Sequence, residues 1–545
     1  MRLAMKYRVA RRCVYLQACI VFLTLTPGTA EDGSRGSPGL TTQVRIVSAE
    51  TAKPAADRCR KGIVMMNTLT NKPIGRRDFL KKAAQGALAA PVIASLDQFG
   101  NHIGAAQEAR PGSSHSAATA DAAPKVSLNV RDYGAAGDGK TKDTLALQQT
   151  IDRCAALGGG DVVIPAGDYL TGALILRSNV ALHIEQDASL LGSGDMADYP
   201  LAQVRWEGRW IKGYSAFVSA VDGENIGISG PGKIVGSTAI KGRVERPSGL
   251  RLPALIELTN CRNVRVENCA TSQAGMWSIH PVYCENIVFK SLTIDSGADG
   301  IDVDSCRHVV IDGCNFSTGD DCISLKSGRG EEGYTINRPC EDVRIANCTF
   351  ADSHFACIGI GSETSAGIRN VHIEHCKCTA ARSHAIYIKS RPGRGAFIED
   401  IFVNDFDVAG AQQGFLRLNT LNSGKQDEFP VPGDEGIPAI RNFQFSNIHV
   451  TEVPVLVAGL EVHPRKPLIG FSLTNVTGTC AKGIELANVK NAVLRNIKVT
   501  GFTGPLLSIA NVTGTGIAGA AKIDPATLPK APDAVPAPAT PYKLH

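Results

Sequence analysis

Three aspartates, Asp299, Asp320 and Asp321, are the residues whose types and spacing could do chemistry together. Residues 285–306 and 307–328 can be laid over each other without a gap, and the overlay sets Asp299 on Asp321. If each stretch is one turn of a solenoid of parallel strands, stacked strands lie roughly 4.8 Å apart and the carboxylates cluster. Clustered carboxylates suit glycoside hydrolysis, in which one protonates the leaving oxygen and others activate water. Their mutual repulsion predicts an acidic activity optimum.

The pair Asp320 and Asp321 needs a bend in the backbone. Adjacent residues of a straight strand point to opposite faces, so these two cannot both face one groove on such a strand. Gly319 precedes them and supplies the bend.

Two further aspartates, Asp302 and Asp304, alternate with apolar residues that we expect to face the core. The same overlay sets Asp302 over Ser324 and Asp304 over Lys326, with both aspartates facing out. The alternative for all of these aspartates is that they only hydrogen-bond turns, as Asp often does.

The elements that must position these residues follow a repeat that begins near residue 224. Each unit is a polar residue, an apolar-alternating strand, a turn and a second strand, with most starts 22 to 38 residues apart. The starts are Glu224, Arg262, Glu285, Arg307, Glu341, Arg369, Glu399, Arg441 and Lys490. This irregular period without helical patterns predicts an all-β chain, a right-handed parallel β-helix. A helical pattern at 143–157 predicts a short N-terminal capping helix.

The chain divides into five parts. We expect the β-helix domain at 126–522, an Ala/Ser/Gly-rich linker at 107–125 and a disordered Pro/Ala-rich tail at 523–545. Residues 65–106 contain Arg-Arg-Asp-Phe-Leu-Lys at 76–81, typical of a twin-arginine export signal. Residues 1–64 hold a first signal-like segment, which we interpret as an extension upstream of a true start at Met65 or Met66; a genuine long N-terminus is the alternative.

Export to the periplasm or medium follows from either signal. No later apolar run approaches the ~18 residues of a membrane span, so we expect no membrane association after signal cleavage. The net charge of +5 is near balance and gives no indication of nucleic acid, which we do not expect as a partner.

Cysteines recur at matching places in the repeats, as at Cys269, Cys314, Cys348 and Cys376. We interpret them as small apolar residues stacked inside the solenoid. A disulfide framework is the alternative, and the lack of CxxC pairs disfavours a metal site.

Six motifs resemble one enzyme family. They are Arg-Trp-Glu-Gly at 205–208, Trp-Ser-Ile-His-Pro-Val-Tyr-Cys at 277–284, the aspartate blocks at 297–306 and 317–328, Ile-Gly-Ser-Glu at 360–363 and Ile-Lys-Ser-Arg-Pro-Gly-Arg-Gly at 388–395. In this order they resemble glycoside hydrolase family 28, the polygalacturonases, over roughly residues 126–510. The resemblance implies that Asp320 is the general acid, that Asp299 and Asp321 hold the hydrolytic water, and that the anomeric centre is inverted.

The chain departs from the family pattern around the substrate. Gly-Ala-Asp stands at 297–299 in place of Asn-Thr-Asp, Ser-His-Phe at 353–355 in place of Gly-His-Gly, and Tyr-Ile-Lys at 387–389 in place of Arg-Ile-Lys. His354 would tune the acid or bind sugar hydroxyls, or be structural. The other candidates for substrate binding are Asp302, Tyr387, Lys389 and Arg391.

Of these, Lys389 could pair with a galacturonate carboxylate, while Tyr387 offers a stacking face and one hydroxyl instead of a bidentate clamp. Arg391, Arg394 or Arg382 could reach the same space or lie in a solvated loop.

We therefore predict an exported glycoside hydrolase that acts as a monomer on a pectic or related acidic polysaccharide and needs no cofactor. Homogalacturonan, rhamnogalacturonan and xylogalacturonan remain open as substrates. One rival is a Ca²⁺-dependent polysaccharide lyase on the same fold, and another is a non-catalytic carbohydrate-binding β-helix.

Overall fold

The computed structural model describes two N-terminal strands and residues 126–246, 248–537 and 542. The two strands, β1 (Ile20–Thr26) and β2 (Thr41–Val47), pair antiparallel within a first unit of residues 1–115. Residues 116–545 form a second unit. Apart from β1 and β2, the signal-like segments at 1–64 and 65–106 and the linker at 107–125 lie outside the described residues.

The second unit is a right-handed parallel β-helix, so the predicted fold class is confirmed. Its strands form three parallel ladders within one sheet of 31 strands. The first ladder, which carries the candidate site, contains β7 (Leu174–Ile175), β12 (Val218–Val221), β15 (Ile256–Thr259), β18 (Ile279–Val282), β21 (Ile301–Asp304), β24 (Ile323–Lys326), β27 (Ile358–Ile360), β29 (His384–Lys389) and β31 (Gly414–Asn419).

The other two ladders complete each coil. The second contains β3 (Val126–Asn129), β5 (Gly160–Ile164), β8 (Val180–Ile184), β13 (Glu224–Ser229), β16 (Arg262–Glu267), β19 (Glu285–Lys290), β22 (Arg307–Asp312) and β25 (Cys340–Ala346). The third contains β4 (Asp138–Lys142), β6 (Gly167–Thr171), β9 (Ala188–Gly192), β14 (Lys233–Val235), β17 (Ala270–Ala274), β20 (Thr293–Ser296), β23 (Asn315–Thr318) and β26 (Thr349–Ser353).

Longer strands join the ladders towards the C-terminus. They are β28 (Ile368–Cys378), β30 (Phe397–Ala409), β32 (Ala439–Glu461), β33 (Leu468–Thr500), β34 (Leu507–Thr515) and β35 (Ala521–Lys522). A separate antiparallel hairpin, β10 (Leu201–Trp206) and β11 (Arg209–Tyr214), interrupts the early coils.

The register inferred from the sequence overlay is confirmed. Glu285 pairs with Arg307 at the start of the two turns. Further along, Asp302 pairs with Ser324 and Asp304 with Lys326. Because this register is gapless, residues that precede β21 and β24 by the same offset lie on adjacent turns.

The core fills the solenoid with stacked aliphatic, aromatic and thiol side chains. Phe316 and Phe350 stack with ring centroids 5.5 Å apart. All thirteen cysteines from Cys154 to Cys480 are free and buried, which confirms their interpretation as small apolar residues. Burial of a Val, Leu, Ile or Phe side chain contributes roughly 1.5–3 kcal/mol, so the stack holds the turns in register.

Helices are short. Helix α1 (Thr144–Ala156) buries Leu147, Ile151 and Cys154, and it lies against the first coil at β3 and β5. Helix α2 (Gly330–Ile336) follows β24. Single 3₁₀ turns occur at Val130–Tyr133, Met196–Asp198, Asp434–Gly436 and Pro525–Thr527. None of the helices in the described part of the chain is long and apolar enough to cross a bilayer.

The C-terminal tail departs from the expected disorder where it is described. The Gly433 N–H donates to the Val535 carbonyl at 2.8 Å, and His463 Nε2 lies 3.1 Å from the Pro532 carbonyl. Tyr542 packs its ring against Phe429 with centroids 5.6 Å apart. Proline fixes φ and lowers the entropy cost of ordering, so a Pro-rich segment can lie along a surface without secondary structure.

Candidate active site

The three aspartates occupy equivalent turns of adjacent coils. Asp299 lies between β20 and β21, and Asp320 and Asp321 lie between β23 and β24. The Gly300 N–H donates to the Asp321 carbonyl at 3.0 Å, which locks the two turns together. A Cβ on Gly319 would meet the Gly297 carbonyl oxygen at 2.1 Å, so only glycine permits this close approach of the turns.

Shared contacts show that the three carboxylates converge. The Ser324 hydroxyl lies 3.3 Å from Asp299 Oδ2 and 3.0 Å from Asp321 Oδ2. One guanidinium nitrogen of Arg243 contacts Asp320 Oδ2 and lies 3.6 Å from Asp299 Oδ1. Asp299 therefore shares the Ser324 hydroxyl with Asp321 and the Arg243 guanidinium with Asp320.

The carboxylates differ in exposure. The Asp320 side chain is 31% exposed, whereas those of Asp299 and Asp321 are 6% and 4% exposed. Burial raises the pKa of Asp299, and the charges of Asp320 and Asp321 add to this rise although Lys326 and Arg243 oppose it. Asp299 Oδ1 has no hydrogen-bond partner among the described residues, so it can accept a proton from water.

Two buried lysines balance the aspartates. Lys326 Nζ lies 3.4 Å from Asp299 Oδ2, contacts Asp302, and sits 4.3 Å from the Trp277 ring centroid. Burial opposes charging of Lys326, but the two aspartates outweigh it and raise its pKa well above the usual value.

Among the described residues, no group of three or more His, Cys, Asp or Glu side chains is placed to hold a metal ion.

The second lysine, Lys389, pairs with Asp321 at 2.7 Å. Burial again opposes its charge, and Asp321 outweighs burial and raises the Lys389 pKa. The sequence predicted that Lys389 binds a substrate carboxylate. In the structure its ammonium group donates a hydrogen bond to the Asp321 carboxylate.

Asp302 and Asp304 face out of the core as expected, yet both are buried. Burial and the neighbouring Asp299 raise the pKa of Asp302 well above its usual value. Asp304 accepts from Arg205 Nε at 3.0 Å, and this guanidinium outweighs burial and lowers the Asp304 pKa. Asp302 thus lies beneath the site, and Asp304 anchors a neighbouring element.

That element is the β10–β11 hairpin, which covers the outer face of the first ladder. Trp206 stacks on Trp277 with centroids 6.0 Å apart, and Arg251 donates to the Arg205 carbonyl at 3.0 Å. Below the hairpin, the outward side chains Glu257 and His280 are buried and lie 3.1 Å apart. The ladder face on the N-terminal side of Asp299 is therefore filled by protein.

A chain of ion pairs fixes the hairpin to the loops on one side of the groove. Arg205 donates to Glu332 at 2.6 Å, and Arg209 donates to Glu332 at 2.9 Å and to Asp427 at 2.7 Å. Arg329 donates to the other Asp427 oxygen at 2.9 Å. Since removal of one member of a buried ion network costs about 3–5 kcal/mol, the hairpin is held firmly in place.

His354 lies at the groove edge, on the turn before β27. Its ring is 40% exposed, and its Nε2 lies 3.0 Å from Arg382 and 3.5 Å from Asp352. Its backbone N–H donates to the Thr318 carbonyl at 2.9 Å, which places the residue beside the Asp320 turn. In the described part of the chain its ring makes no hydrogen bond with the three aspartates.

Tyr387 is more enclosed than a stacking platform would be. It is 5% exposed, and its hydroxyl lies 3.4 Å from the Ser423 hydroxyl. The rings of Phe355 and the guanidinium of Arg417 lie against it at 5.9 and 5.0 Å. Asn419 also donates to this hydroxyl at 3.5 Å, so both the ring and the hydroxyl of Tyr387 contact protein.

The arginines of the loop after β29 separate into two kinds. Arg391 is half-buried and donates to the Gly424 carbonyl at 2.7 Å. Arg394 is fully buried and donates to the Ser362 carbonyl at 2.9 Å, so it supports the loop and does not reach the groove.

Sequence reasoning missed three residues of this site. Ser324 was only a register partner of Asp302, and Arg243 lies on a non-repeating insertion between β14 and β15 where no motif marks it. Gly359 was also missed: a Cβ there would meet Asp321 Oδ2 at 2.4 Å and Lys389 Nζ at 3.2 Å. A glycine at an outward ladder position beside the aspartates was the signal that could have shown it.

Comparison with known proteins identifies the family of the chain. The model of glycosyl hydrolases family 28 matches residues 154–426, half of the chain. The chain belongs to this family. It is therefore a glycoside hydrolase, and the lyase and non-catalytic alternatives give way to this assignment.

Several relatives of this family 28 enzyme are named for the hydrolysis of polygalacturonate. A probable polygalacturonase of Vitis vinifera is 29% identical over 64% of this chain and 74% of its own length. An exo-poly-alpha-D-galacturonosidase of Dickeya chrysanthemi is 27% identical over 73% of this chain and 75% of its own. The crystal structure of an exopolygalacturonase from Thermotoga maritima aligns with a TM-score of 0.61 at 27% identity, covering 68% and 92% of the two chains.

Proposed function

We propose that the enzyme hydrolyses glycosidic bonds of a pectin-type acidic polysaccharide with inversion of configuration. Asp320 is the general acid, and Asp299 and Asp321 orient and deprotonate the attacking water. The observation that carries this proposal is the convergence of all three carboxylates through the Ser324 hydroxyl and the Arg243 guanidinium.

The roles follow from exposure. Asp320 is the most exposed of the three and lies at the groove surface, where it can reach a glycosidic oxygen. Asp299 and Asp321 lie deeper, and both contact the Ser324 hydroxyl. In the step, Asp320 gives its proton to the leaving oxygen while water attacks the anomeric carbon and loses a proton to Asp299.

The cations along the groove support an acidic substrate. Arg243 is 39% exposed beside Asp320, Arg382 is exposed beside His354, and Arg391 is half-buried beyond β29. Guanidinium groups bind carboxylates with two parallel hydrogen bonds, so this lining favours a polymer of uronic acids. The relatives named for polygalacturonate make homogalacturonan the first substrate to test.

We also propose that the enzyme attacks chain ends. The hairpin fills the ladder face over Glu257 and His280, immediately N-terminal to the aspartates, whereas Arg417 and Glu461 on the other side are 29% and 24% exposed. A groove closed on one side next to the acid admits a terminus more readily than the middle of a chain. Two of the relatives reported above carry exo-type names.

The test is digestion of polygalacturonate by the wild-type enzyme and the Asp320→Asn variant, with products separated by anion-exchange chromatography. New reducing ends without absorbance near 235 nm support hydrolysis, and release of mono- or digalacturonate from the outset supports attack at chain ends. Unsaturated products, or turnover retained by Asp320→Asn, would overturn the proposal.

Export through the twin-arginine signal at 65–106 remains part of the proposal. The lysine pair variant Arg76→Lys with Arg77→Lys should retain the enzyme in the cytoplasm. Equal amounts of exported enzyme for wild type and this double variant would rule out the twin-arginine route.

A further inference from the structure

Among the cations that contact the site carboxylates, one is much more exposed to solvent than the others. Four carboxylates, those of Asp299, Asp302, Asp320 and Asp321, contact three cations. The side chains of Lys326 and Lys389 are 8% and 11% exposed, whereas that of Arg243 is 39% exposed.

This difference decides which cation can change partner. Removing a partner from a buried ion pair is strongly unfavourable because it leaves a desolvated charge. An ion pair that water reaches contributes little, so it separates at low cost. Arg243 and Asp320 form the one solvent-accessible pair of the three, and Asp320 is the proposed acid.

The pair is also in conflict with catalysis. A general acid must carry a proton when the glycosidic oxygen leaves, but a guanidinium in contact with Asp320 favours its ionised form. In the structure the proposed acid is therefore paired with a cation. Substrate binding must weaken the contact with Arg243.

We propose that Arg243 binds the carboxylate of the uronate sugar and, by moving to it, leaves Asp320 to take up the proton that it donates. This inference rests on the proposed function. It makes Arg243 a specificity residue that couples recognition of an acidic sugar to protonation of Asp320.

The loop that carries Arg243 suits this exchange. It joins β14 to β15 and contains Gly242 and Gly249, both at positive φ and with open space where a side chain would lie. A cleft of about 500 Å³ opens along Lys241, Gly242 and Arg243. A ligand carboxylate can therefore approach Arg243 from solvent, and guanidinium matches it in bidentate geometry.

Other charged groups around Asp320 are held by partners of their own. Asp321 pairs with Lys389, and Asp299 lies between Lys326 and Arg243. On the neighbouring turn, His354 contacts Asp352 and Arg382. Of these groups, Arg243 alone both touches Asp320 and is open to the groove.

Protons balance through one turnover. The free enzyme takes one proton from solvent onto Asp320 when Arg243 moves to the uronate. That proton passes to the leaving oxygen, and the proton of the attacking water passes to Asp299 and then to solvent. Product release returns Arg243 to the ionised Asp320.

The test compares pH profiles of kcat/KM, which reports the free enzyme, with those of kcat, which reports the substrate complex. On trigalacturonate, the alkaline limb of kcat should lie about one pH unit or more above that of kcat/KM in the wild type. In Arg243→Gln the kcat/KM limb should rise to meet the kcat limb. Arg243→Lys should keep the separation, and the control Arg265→Gln, an exposed arginine on β16 of the second ladder, should match wild type.

A second comparison uses methyl-esterified trigalacturonate, which carries no carboxylate for Arg243. Wild type should lose kcat as well as affinity on the ester, by about tenfold or more, and Arg243→Gln should lose this discrimination. Two results would overturn the proposed role of Arg243 but leave the proposed function standing. One is the same separation between the pH limbs of kcat and kcat/KM in wild type and Arg243→Gln. The other is the same preference for the free acid over the methyl ester in both enzymes. Lack of hydrolysis by wild type would instead overturn the proposed function.

Discussion

Asp299 and Asp321 lie one coil apart, and their Oδ2 atoms face the same Ser324 hydroxyl at 3.3 and 3.0 Å. A gapless repeat brings them there, because equal turns place equal positions side by side. The convergence of these two carboxylates is thus a consequence of the solenoid register.

Loss of the acid should remove turnover and leave binding. We expect Asp320→Asn to lower kcat by a factor on the order of 10² or more, since general acid catalysis contributes about that much. KM should change by only a few-fold. The matched control is Asp295→Asn, an exposed carboxylate on β20, which should keep wild-type rates. A kcat within threefold of wild type for Asp320→Asn would contradict the assignment.

A methyl group at Gly359 should disrupt the site from below. Gly359→Ala would place Cβ 2.4 Å from Asp321 Oδ2 and 3.2 Å from Lys389 Nζ, so this ion pair must shift. Misplacement by about 1 Å costs on the order of 10² in rate, while the solenoid should keep its melting temperature within a few degrees. Steady-state kinetics with circular dichroism melts measure both. Full activity would show that Asp321 does not need its observed position.

Acid stability should depend on Glu257. Arg251 and His280 outweigh its burial and lower its pKa from 4.5 to about 2. A carboxylate with a lowered folded pKa contributes stability above its unfolded pKa, and loses it as pH falls towards the folded value. The contribution of Glu257 to the free energy of unfolding is about 3 kcal/mol at pH 6, and it decreases between about pH 4.5 and 2.

We therefore expect urea unfolding of Glu257→Gln to show a free energy about 3 kcal/mol below wild type at pH 6, with the gap closing near pH 2. The control Glu374→Gln breaks an exposed pair with Arg344 and should cost at most about 1 kcal/mol. A gap for Glu257→Gln that is the same at both pH values would show that the ion pair is not its source.

The hairpin should determine the size of the products. Asp427→Ala removes the partner of both Arg209 and Arg329, so the hairpin should loosen and admit longer segments of chain. We expect a larger share of oligomers and a faster fall in viscosity per bond cleaved than for wild type. The control Glu428→Gln alters the adjacent carboxylate, for which the structure shows no ion pair among the described residues. Identical product profiles for Asp427→Ala and wild type would mean that the hairpin does not close the groove.

Much of this arrangement was predictable because the repeat is local and regular. The overlay of 285–306 on 307–328 fixed the register of Asp299, Asp302 and Asp304, and alternation gave their outward direction. The cysteines could be interpreted as core residues from their constant offset.

The remainder depends on insertions, where no period operates. Arg243, Arg205 and Asp427 come from segments between repeats. Arg243 reaches Asp299 across 56 residues of chain, Arg205 reaches Asp304 across 99, and Asp427 reaches Arg209 across 218. Asp304 is covered by Arg205 of the β10–β11 hairpin, and its burial could not be seen in the strand pattern. The contact of Lys389 with Asp321 could not be predicted, because the depth of Asp321 in the groove was unknown.

The most direct test of the central claim is proton NMR of the products during the first minutes of digestion of an α-linked galacturonate oligomer. If water held by Asp299 and Asp321 attacks opposite the bond that Asp320 protonates, the new reducing end must appear first as the β-anomer and only later mutarotate. Initial appearance of the α-anomer would contradict the account, since it would require a covalent intermediate on one of the carboxylates.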